Sequence, residues 1–313
     1  MAEVWIMGEM LVEIMRPESG TDMDVTGTFR GPYPSGAPAI CIDTVARLGH
    51  SAGIIGGIGK DGFGTCLMKR LKADGVDCRF VNESETLSTG TAFVTYFEDG
   101  SRKYIFHMGN SAAVQCKAPE IEELGNVKYF HIMGCSLMAE KQFAGEILKV
   151  MDGVMKKGGK ISFDPNIRKE LLHDPEVFKT VQRVAANANV FLPGEEELLL
   201  ITEEKSIEEA VKKAFQNPAL EILALKKGSR GCTVYTKDAS YDMGIYRVDP
   251  VDATGAGDSY DGAFLCGLLE GKSIEETMKM AAAAGALNTA AFGPMEGKIS
   301  RETIEAMIEK GEL

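Results

Sequence analysis

Short apolar runs and stretches with helical spacing take turns along most of this chain. The runs at 4–7, 53–57, 129–133, 160–163, 190–192, 222–225 and 232–236 have strand length. Helical spacing fills 38–48, 64–73, 139–157, 174–187 and 206–215. Ser206-Ile-Glu-Glu209 and Ser273-Ile-Glu-Glu276 read as capping boxes, and 281–291 as a small-residue helix suited to close packing. Strands separated by helices pair in parallel through crossovers. The pattern therefore predicts an α/β fold: a three-layer domain around a largely parallel central sheet.

Two segments break the pattern. Residues 91–97 and 102–108 alternate polar and apolar around Asp99-Gly100, which is a hairpin signal. Residues 12–35 hold Pro17, Gly20, Gly27, Gly31, Pro32 and Pro34 with no helical period. Both read as insertions, 12–35 and 88–110, that leave the main sheet and pair into a small β lid over the ligand crevice. The whole of 1–313 otherwise reads as one domain.

Composition narrows the partners. Asp and Glu number 46 against 34 Lys and Arg, a net charge of −12, which argues against nucleic acid held by phosphate contacts. The seven Cys are scattered, odd in number and free of C-x-x-C spacing, as expected in a reducing cytoplasm. Glu3, Glu9 and Glu13 interrupt the apolar N-terminus, unlike a signal peptide. No apolar run of about 18 residues predicts a membrane span.

The chemistry concentrates in the C-terminal half. Asp252-Ala-Thr254-Gly255-Ala256-Gly257-Asp258 precedes a helical pattern, so Gly255, Ala256 and Gly257 should place backbone N–H groups at a helix start. Such a turn holds anions. Asp258 would repel phosphate as a ligand and suits the task of proton acceptor. Phe163-Asp-Pro-Asn166-Ile-Arg168 ends a strand, where open α/β sheets bind ligands; Asn166 and Arg168 suit substrate or phosphate. Gly194-Glu-Glu-Glu197 offers carboxylates for Mg²⁺, and Lys226-Lys-Gly228-Ser229 offers charge and backbone donors to a nucleotide. Two motifs mislead. Gly57-Ile-Gly59-Lys-Asp-Gly62 matches G-x-G-x-x-G but lacks the acidic residue of a dinucleotide site. Gly267-Leu-Leu-Glu-Gly271-Lys272-Ser273 is one residue short of a P-loop and follows a helix. Of four His, only His107 at the hairpin's end is a candidate substrate contact.

On these residues the chain resembles the PfkB/ribokinase family of carbohydrate kinases over essentially its whole length. Residues 252–258 resemble the family's second signature. Ser35-Gly36-Ala37-Pro38-Ala39 with Ala46-Arg47-Leu48-Gly49 resembles the first. The resemblance implies a ribokinase-like fold, ATP and Mg²⁺ as cofactors, and a monovalent cation of the K⁺ kind. It implies Asp258 as base and Gly255, Ala256 and Gly257 as anion hole. Lys226, Gly228, Ser229, Thr254 and Asn288 fall at cofactor positions, Glu197 and Asp252 at metal positions, and Glu13 and Gly36 beside the sugar. Three departures stand out: Gly194 replaces the Asn of N-x-x-E, Ser35 replaces one glycine of a pair, and Ile40 replaces a sugar-contacting Asn.

The activity this implies is ATP-dependent phosphorylation of a sugar's primary hydroxyl. A ketohexose of the tagatose or fructose type is expected, with tagatose first. Where related acid-sugar and fructose kinases carry Arg, this chain has Met108 or Gly109, and Arg102 and Lys103 are expected in solvent at the hairpin tip. His107, Asn110 and Glu13 then remain to bind a neutral sugar. A 2-keto-3-deoxygluconate kinase or nucleoside kinase is the alternative within the family. An NAD-linked dehydrogenase and a non-catalytic sugar sensor are the rivals outside it. A homodimer through the lid is left open.

Overall fold

The computed structural model describes residues 2–98, 101–167 and 174–311. The Asp99-Gly100 turn, Arg168 and His173 lie outside the described residues. The large sheet contains β1 (Val4–Met7), β4 (Ala52–Gly59), β5 (Asp77–Ser84), β8 (Tyr129–Met133), β9 (Lys160–Asp164), β10 (Val190–Phe191), β11 (Ile222–Lys226), β12 (Cys232–Tyr235) and β13 (Ser240–Met243). Their order is β13-β12-β11-β10-β9-β8-β1-β4-β5. All pairs are parallel except β11–β12 and β12–β13. A second sheet, β3-β2-β6-β7, is built from β2 (Leu11–Met15), β3 (Arg30–Ser35), β6 (Gly90–Tyr96) and β7 (Arg102–His107).

Helices cover both faces of the large sheet. On one face, α1 (Ala37–Arg47), α2 (Gly62–Ala73), α8 (Ala256–Leu269), α9 (Ile274–Thr289) and α10 (Arg301–Lys310) bury Ile42, Leu67, Phe264, Met278 and Ile304 in one core. On the other, α4 (Lys141–Lys156), α5 (Pro175–Ala185), α6 (Glu195–Thr202) and α7 (Ile207–Ala214) bury Phe143, Val181, Leu198 and Ala210 in a second. Short α3 (Gly134–Ala139) follows β8. Each strand's two faces feed different cores: Ile6 enters the first, Trp5 and Met7 the second. Strands buried on both faces read as continuous apolar runs, which is why they were visible in the sequence.

The differences from expectation have physical reasons. β5 and β13 are sheet edges of mixed exposure, so they show no apolar run. The expected helix at 139–157 is α4, which starts after Glu140, whose carboxylate caps Phe143 N–H; short α3 just before it was not foreseen. Ser273 and Glu276 form the expected reciprocal cap; Ser206 caps Glu209 N–H, but that Glu accepts the Ser206 hydroxyl instead.

Strand order reverses at β1, which has β4 on one side and β8 on the other. The chain enters the small sheet directly after β1 and again after β5, so that sheet stands beside the crevice at this switch point. The Gly57–Gly62 motif belongs to this packing. A Cβ on Gly57 would strike the Ala112 carbonyl, and one on Gly59 would meet Leu87 O and Thr89 N at 2.6 Å. These glycines admit the backbone flanking the small sheet. Gly57→Ala is expected to lower unfolding free energy by about 1–3 kcal/mol, the usual penalty of overpacking a rigid neighbour. Gly62→Ala, with nothing within 4 Å of its Cβ, should be neutral. Urea midpoints of the two variants decide it; equal midpoints would mean the motif has no packing role.

Candidate active site

The site forms where α8 begins. Gly255 is the helix N-cap at φ 79, and no side chain caps the helix. This backbone is left-handed, and a Cβ would strike the Pro294 carbonyl, so glycine is required twice over. An uncapped, glycine-rich first turn leaves a positive helix end facing the crevice. Gly255 and Gly257 line a cavity of about 210 Å³ there; Ala256 does not, and its N–H donates to the Ala253 carbonyl at 3.3 Å. The same cavity is lined by Glu13, Ile40, Arg102, Tyr104, Asn166 and Asp258, among others. A larger open cleft of about 350 Å³ lies apart, along α2 beside Lys60, Lys69 and Glu83.

Asp258 sits in the first turn of α8 and is buried. Asn166 Nδ2 donates to its Oδ1 at 3.0 Å. Asn166 is itself held at φ 38, a conformation non-glycine residues seldom take, with its N–H on Asp164 Oδ1 at 3.0 Å. The strand end thus fixes the amide that aims the carboxylate.

Lys226, at the end of β11, reaches the same place. Its Nζ lies 2.8 Å from Asp164 Oδ2 and 3.2 Å from both oxygens of Asp261. Burial opposes the ammonium's charge, but Asp164 and Asp261 outweigh it and raise its pKa. The two acids divide. Burial drives Asp261 far upward, whereas Lys226 and a hydrogen bond from Asp261 hold Asp164 below its ordinary value despite burial.

Two expected metal acids are differently employed. Glu197 lines the cavity, but its Oε1 accepts from Ile167 N and its Oε2 from Gly194 N, each at 2.7 Å. Burial and neighbouring Asp164 raise its pKa. Asp252 does not line the cavity. Its carboxylate accepts from Thr254 N, Gly293 N and the Tyr96 hydroxyl, at 2.9, 3.1 and 3.1 Å, and closes the turn before α8. A carboxylate so filled braces the backbone on both sides of this turn. Among the described residues no cluster of three or more His, Cys, Asp or Glu is arranged for a metal.

The small sheet supplies one wall. Glu13 accepts from Ser35 Oγ at 2.7 Å. Gly36 holds the start of α1 at φ 103, between Ser35 and Ala37. Arg102 corrects the expectation of a solvated hairpin tip: its Nη1 donates to Thr254 Oγ1 at 3.0 Å and it lines the cavity. His107 and Asn110 are corrected in the other sense. Along β7, Arg102, Tyr104 and Phe106 are half-buried while Lys103, Ile105 and His107 are exposed, so His107 faces away and meets Phe93 edge-on. Asn110 is exposed and outside the cavity. Gly228 and Ser229 form an exposed 3₁₀ turn beyond Lys226. Asn288 is buried and donates to the Thr254 carbonyl at 2.7 Å.

Residues 46–49 act from below. Arg47 donates to the carbonyls of Met295 and Gly297, at 3.4 and 2.7 Å, bracing the loop whose Pro294 carbonyl packs under Gly255. Tyr96, Tyr104, Ser35 and Asp261 were missed in the sequence. Only Asp261 carried a signal, an acid three residues after Asp258 on a helix otherwise apolar along that stretch.

An open helix end facing a held carboxylate, under a small sheet at the switch point, suits phosphoryl transfer to the hydroxyl of a small molecule. The chain belongs to the pfkB family of carbohydrate kinases, whose model matches residues 1–300. It is 32% identical over 296 residues to probable fructokinase-3 of Arabidopsis thaliana, covering 91% of this chain and 85% of that one. Fructokinase-2 of Solanum lycopersicum is 31% identical, with coverage of 91% and 90%. A candidate ribokinase II from E. coli, solved with ATP and Mg²⁺, superposes with a TM-score of 0.93 at 38% identity, covering 99% and 100%. A double-mutant fructokinase from Vibrio cholerae O395, solved with fructose, ADP and potassium ion, gives 0.85 at 26%, covering 98% of each. The kinase assignment removes the dehydrogenase reading. Among the described residues no helix is long and apolar enough to cross a membrane.

Beneath the site, His131 on β8 is fully buried, with Nδ1 2.9 Å from Ser162 Oγ. Burial lowers its pKa from 6.5 to about 4, against the opposing pull of Asp164. The unfolded chain therefore takes up this proton first as pH falls. Stability should drop between pH 6.5 and about 4, by an amount on the order of 3 kcal/mol for this one group. His131→Asn should flatten that part of the stability–pH curve, read from urea unfolding; an unchanged slope would show that His131 is protonated in the fold.

Proposed function

We propose that this protein is an ATP-dependent ketohexose kinase of the fructokinase type, with Asp258 as the base. The observation that carries the reading is Asp258, held by Asn166 in the cavity that Gly257, Lys226 and Glu13 also line. The relatives named fructokinase support fructose as the sugar ahead of tagatose.

Beneath the small sheet, which acts as the lid, Glu13 accepts sugar hydroxyls and Ser35 keeps its carboxylate in place. The primary hydroxyl then faces Asp258. Its proton passes to the carboxylate as its oxygen bonds the γ-phosphorus, and the bond to the β-phosphate oxygen breaks to release ADP. Charge on the transferring group meets the α8 amides, Lys226 and Arg102. Mg²⁺, arriving with ATP, neutralises the phosphate oxygens when bound. Glu197 would hold it through water, since both its oxygens already accept amides. For K⁺, the buried amide oxygen of Asn288 has no hydrogen-bond partner, while its Nδ2 donates to the Thr254 carbonyl. Such an oxygen fits a weakly hydrated cation. A homodimer would use the lid's outer face, where Ile105 and His107 are exposed beside Phe93.

Arg102 gives the acid-sugar alternative a specific footing, because it places a cation where none was expected. Among the described residues four carboxyl groups nevertheless line the cavity, Glu13, Asp164, Glu197 and Asp258, against two cations, Arg102 and Lys226. A buried sugar carboxylate would face that excess, whereas a neutral polyol would not.

ADP release decides between them. kcat/KM for fructose should exceed that for 2-keto-3-deoxygluconate by more than about tenfold, 1.4 kcal/mol of transition-state discrimination. A preference for the acid would assign Arg102 to a substrate carboxylate. Asp258→Asn should lower kcat by on the order of 10²–10⁴ with little change in the KM for ATP. Retention of a tenth of kcat or more would remove Asp258 as base.

A further inference from the structure

We infer that Asp261 is a positioning residue for phosphoryl transfer, holding the Lys226 ammonium in register with the helix turn that receives the phosphoryl group. The inference rests on the kinase reading above and adds a residue to its machinery.

Asp261 is fully buried, three residues after Asp258 on α8. Its two oxygens lie equally far, 3.2 Å, from Lys226 Nζ. The symmetric grip matters because Lys226 comes from another layer. Its stem rises from β11, and a four-carbon side chain with rotatable bonds does not fix its own ammonium. Asp164 at the end of β9 anchors the ammonium to the sheet. Asp261 anchors it to the helix that also carries Gly255, Gly257 and Asp258. Only the second tie sets the distance between the cation and the amides, since both then ride on one rigid element. That distance is short: Nζ stands 3.9 Å from where a Gly257 Cβ would lie. A phosphoryl group on the first-turn amides would therefore arrive within ion-pair reach of Lys226.

Burying a second carboxyl group here is expensive in desolvation, and Asp164 alone would give the ammonium a partner. A cluster needed only for folding could replace Asp261 and Lys226 together by neutral residues of similar size. The arrangement earns its place by geometry instead.

The test is a set of variants in the full chain: Asp261→Ala, Asp261→Asn, Lys226→Met and the double variant Lys226→Met/Asp261→Asn. Asp261→Ala should lower kcat by at least about tenfold, as expected for a displaced electrostatic group. The sugar KM should stay within about twofold, because Asp261 does not touch the sugar. Asp261→Asn keeps an acceptor oxygen of the same shape and should recover part of the loss. The double variant should be no slower than Lys226→Met alone, because Asp261 acts through that lysine. A further variant that adds Asp164→Asn to this pair removes the buried carboxylate that loss of Lys226 leaves unpaired, so it stays informative if Asp261→Ala fails to fold. Calorimetry without sugar gives a readout free of turnover: Asp261→Ala should weaken ATP binding more than ADP binding. An active wild type whose Asp261 variants keep kcat within threefold, or losses that multiply in the double variant, would overturn the inference while leaving the kinase reading intact. A wild type that binds ATP but phosphorylates no sugar would sink the sugar-kinase reading, and the ATP-to-ADP ratio would then judge Asp261 alone. A wild type that binds no ATP overturns both.

Discussion

The first turn of α8 can occupy only one place, and the site is arranged around that fact. The helix is buried from Asp258 through Gly267, so it has no solvent face along which to shift. Gly262 lies against the Cys41 carbonyl and Gly267 against Thr277, close approaches that a side chain would prevent. Its start is pinned by the left-handed Gly255 above the Pro294 carbonyl. Close-packed interiors transmit small displacements instead of absorbing them. Residues far from the chemistry therefore matter to it. Arg47 braces the loop under Gly255, while Asp252 ties that loop, through Gly293, to the turn before α8. Tyr96 and Arg102, opposite each other on β6 and β7, bond Asp252 and Thr254, so the small sheet closes onto that same turn.

Charge is handled in the same fixed way. An isolated carboxylate or ammonium at this depth would carry a desolvation penalty of several kcal/mol. The buried charges around Lys226 have fixed partners: Asp164 and Glu197 accept strand-end or helix-start amides, and Lys226 meets two acids. Such a site needs little reorganisation when a phosphoryl group enters, because the dipoles already point inward.

What the sequence disclosed follows from which forces are local. Strands buried on both faces, the glycine-rich turn before α8 and the place of Asp258 in its first turn depend on residue type and short spacing. Arg102, His107 and Asp261 depend on more. In β7 side chains alternate, so a single choice of parity decides whether Arg102 or His107 faces the cavity. Hairpin sequence alone does not set that parity; the neighbouring turn at Thr254, 152 residues away, does. Asp261 acquires meaning only when β9, β11 and α8 meet. The bracing bonds of Asp252 were hidden for a related reason: its partners Tyr96 and Gly293 are distant in sequence.

The departures from the family's signatures have local answers. Gly194 has no side chain to offer a metal's water shell, and Glu197 fills the space by bonding the Gly194 amide. That bond caps α6 and draws the carboxylate onto the backbone. Ile40, where the family presents Asn, lines the cavity and packs toward Gly255. An apolar group there contributes shape and excludes water but recognises no hydroxyl. On the proposed reading, sugar recognition falls to the opposite wall, where Glu13, Tyr104 and Arg102 stand on the small sheet. That sheet is also bonded to the turn before α8 through Tyr96 and Arg102, so on the proposed reading the wall that meets the sugar and the turn that meets the phosphoryl group are one connected unit. A sugar that fits Glu13 poorly would strain that unit. Selectivity would then appear in kcat as much as in binding.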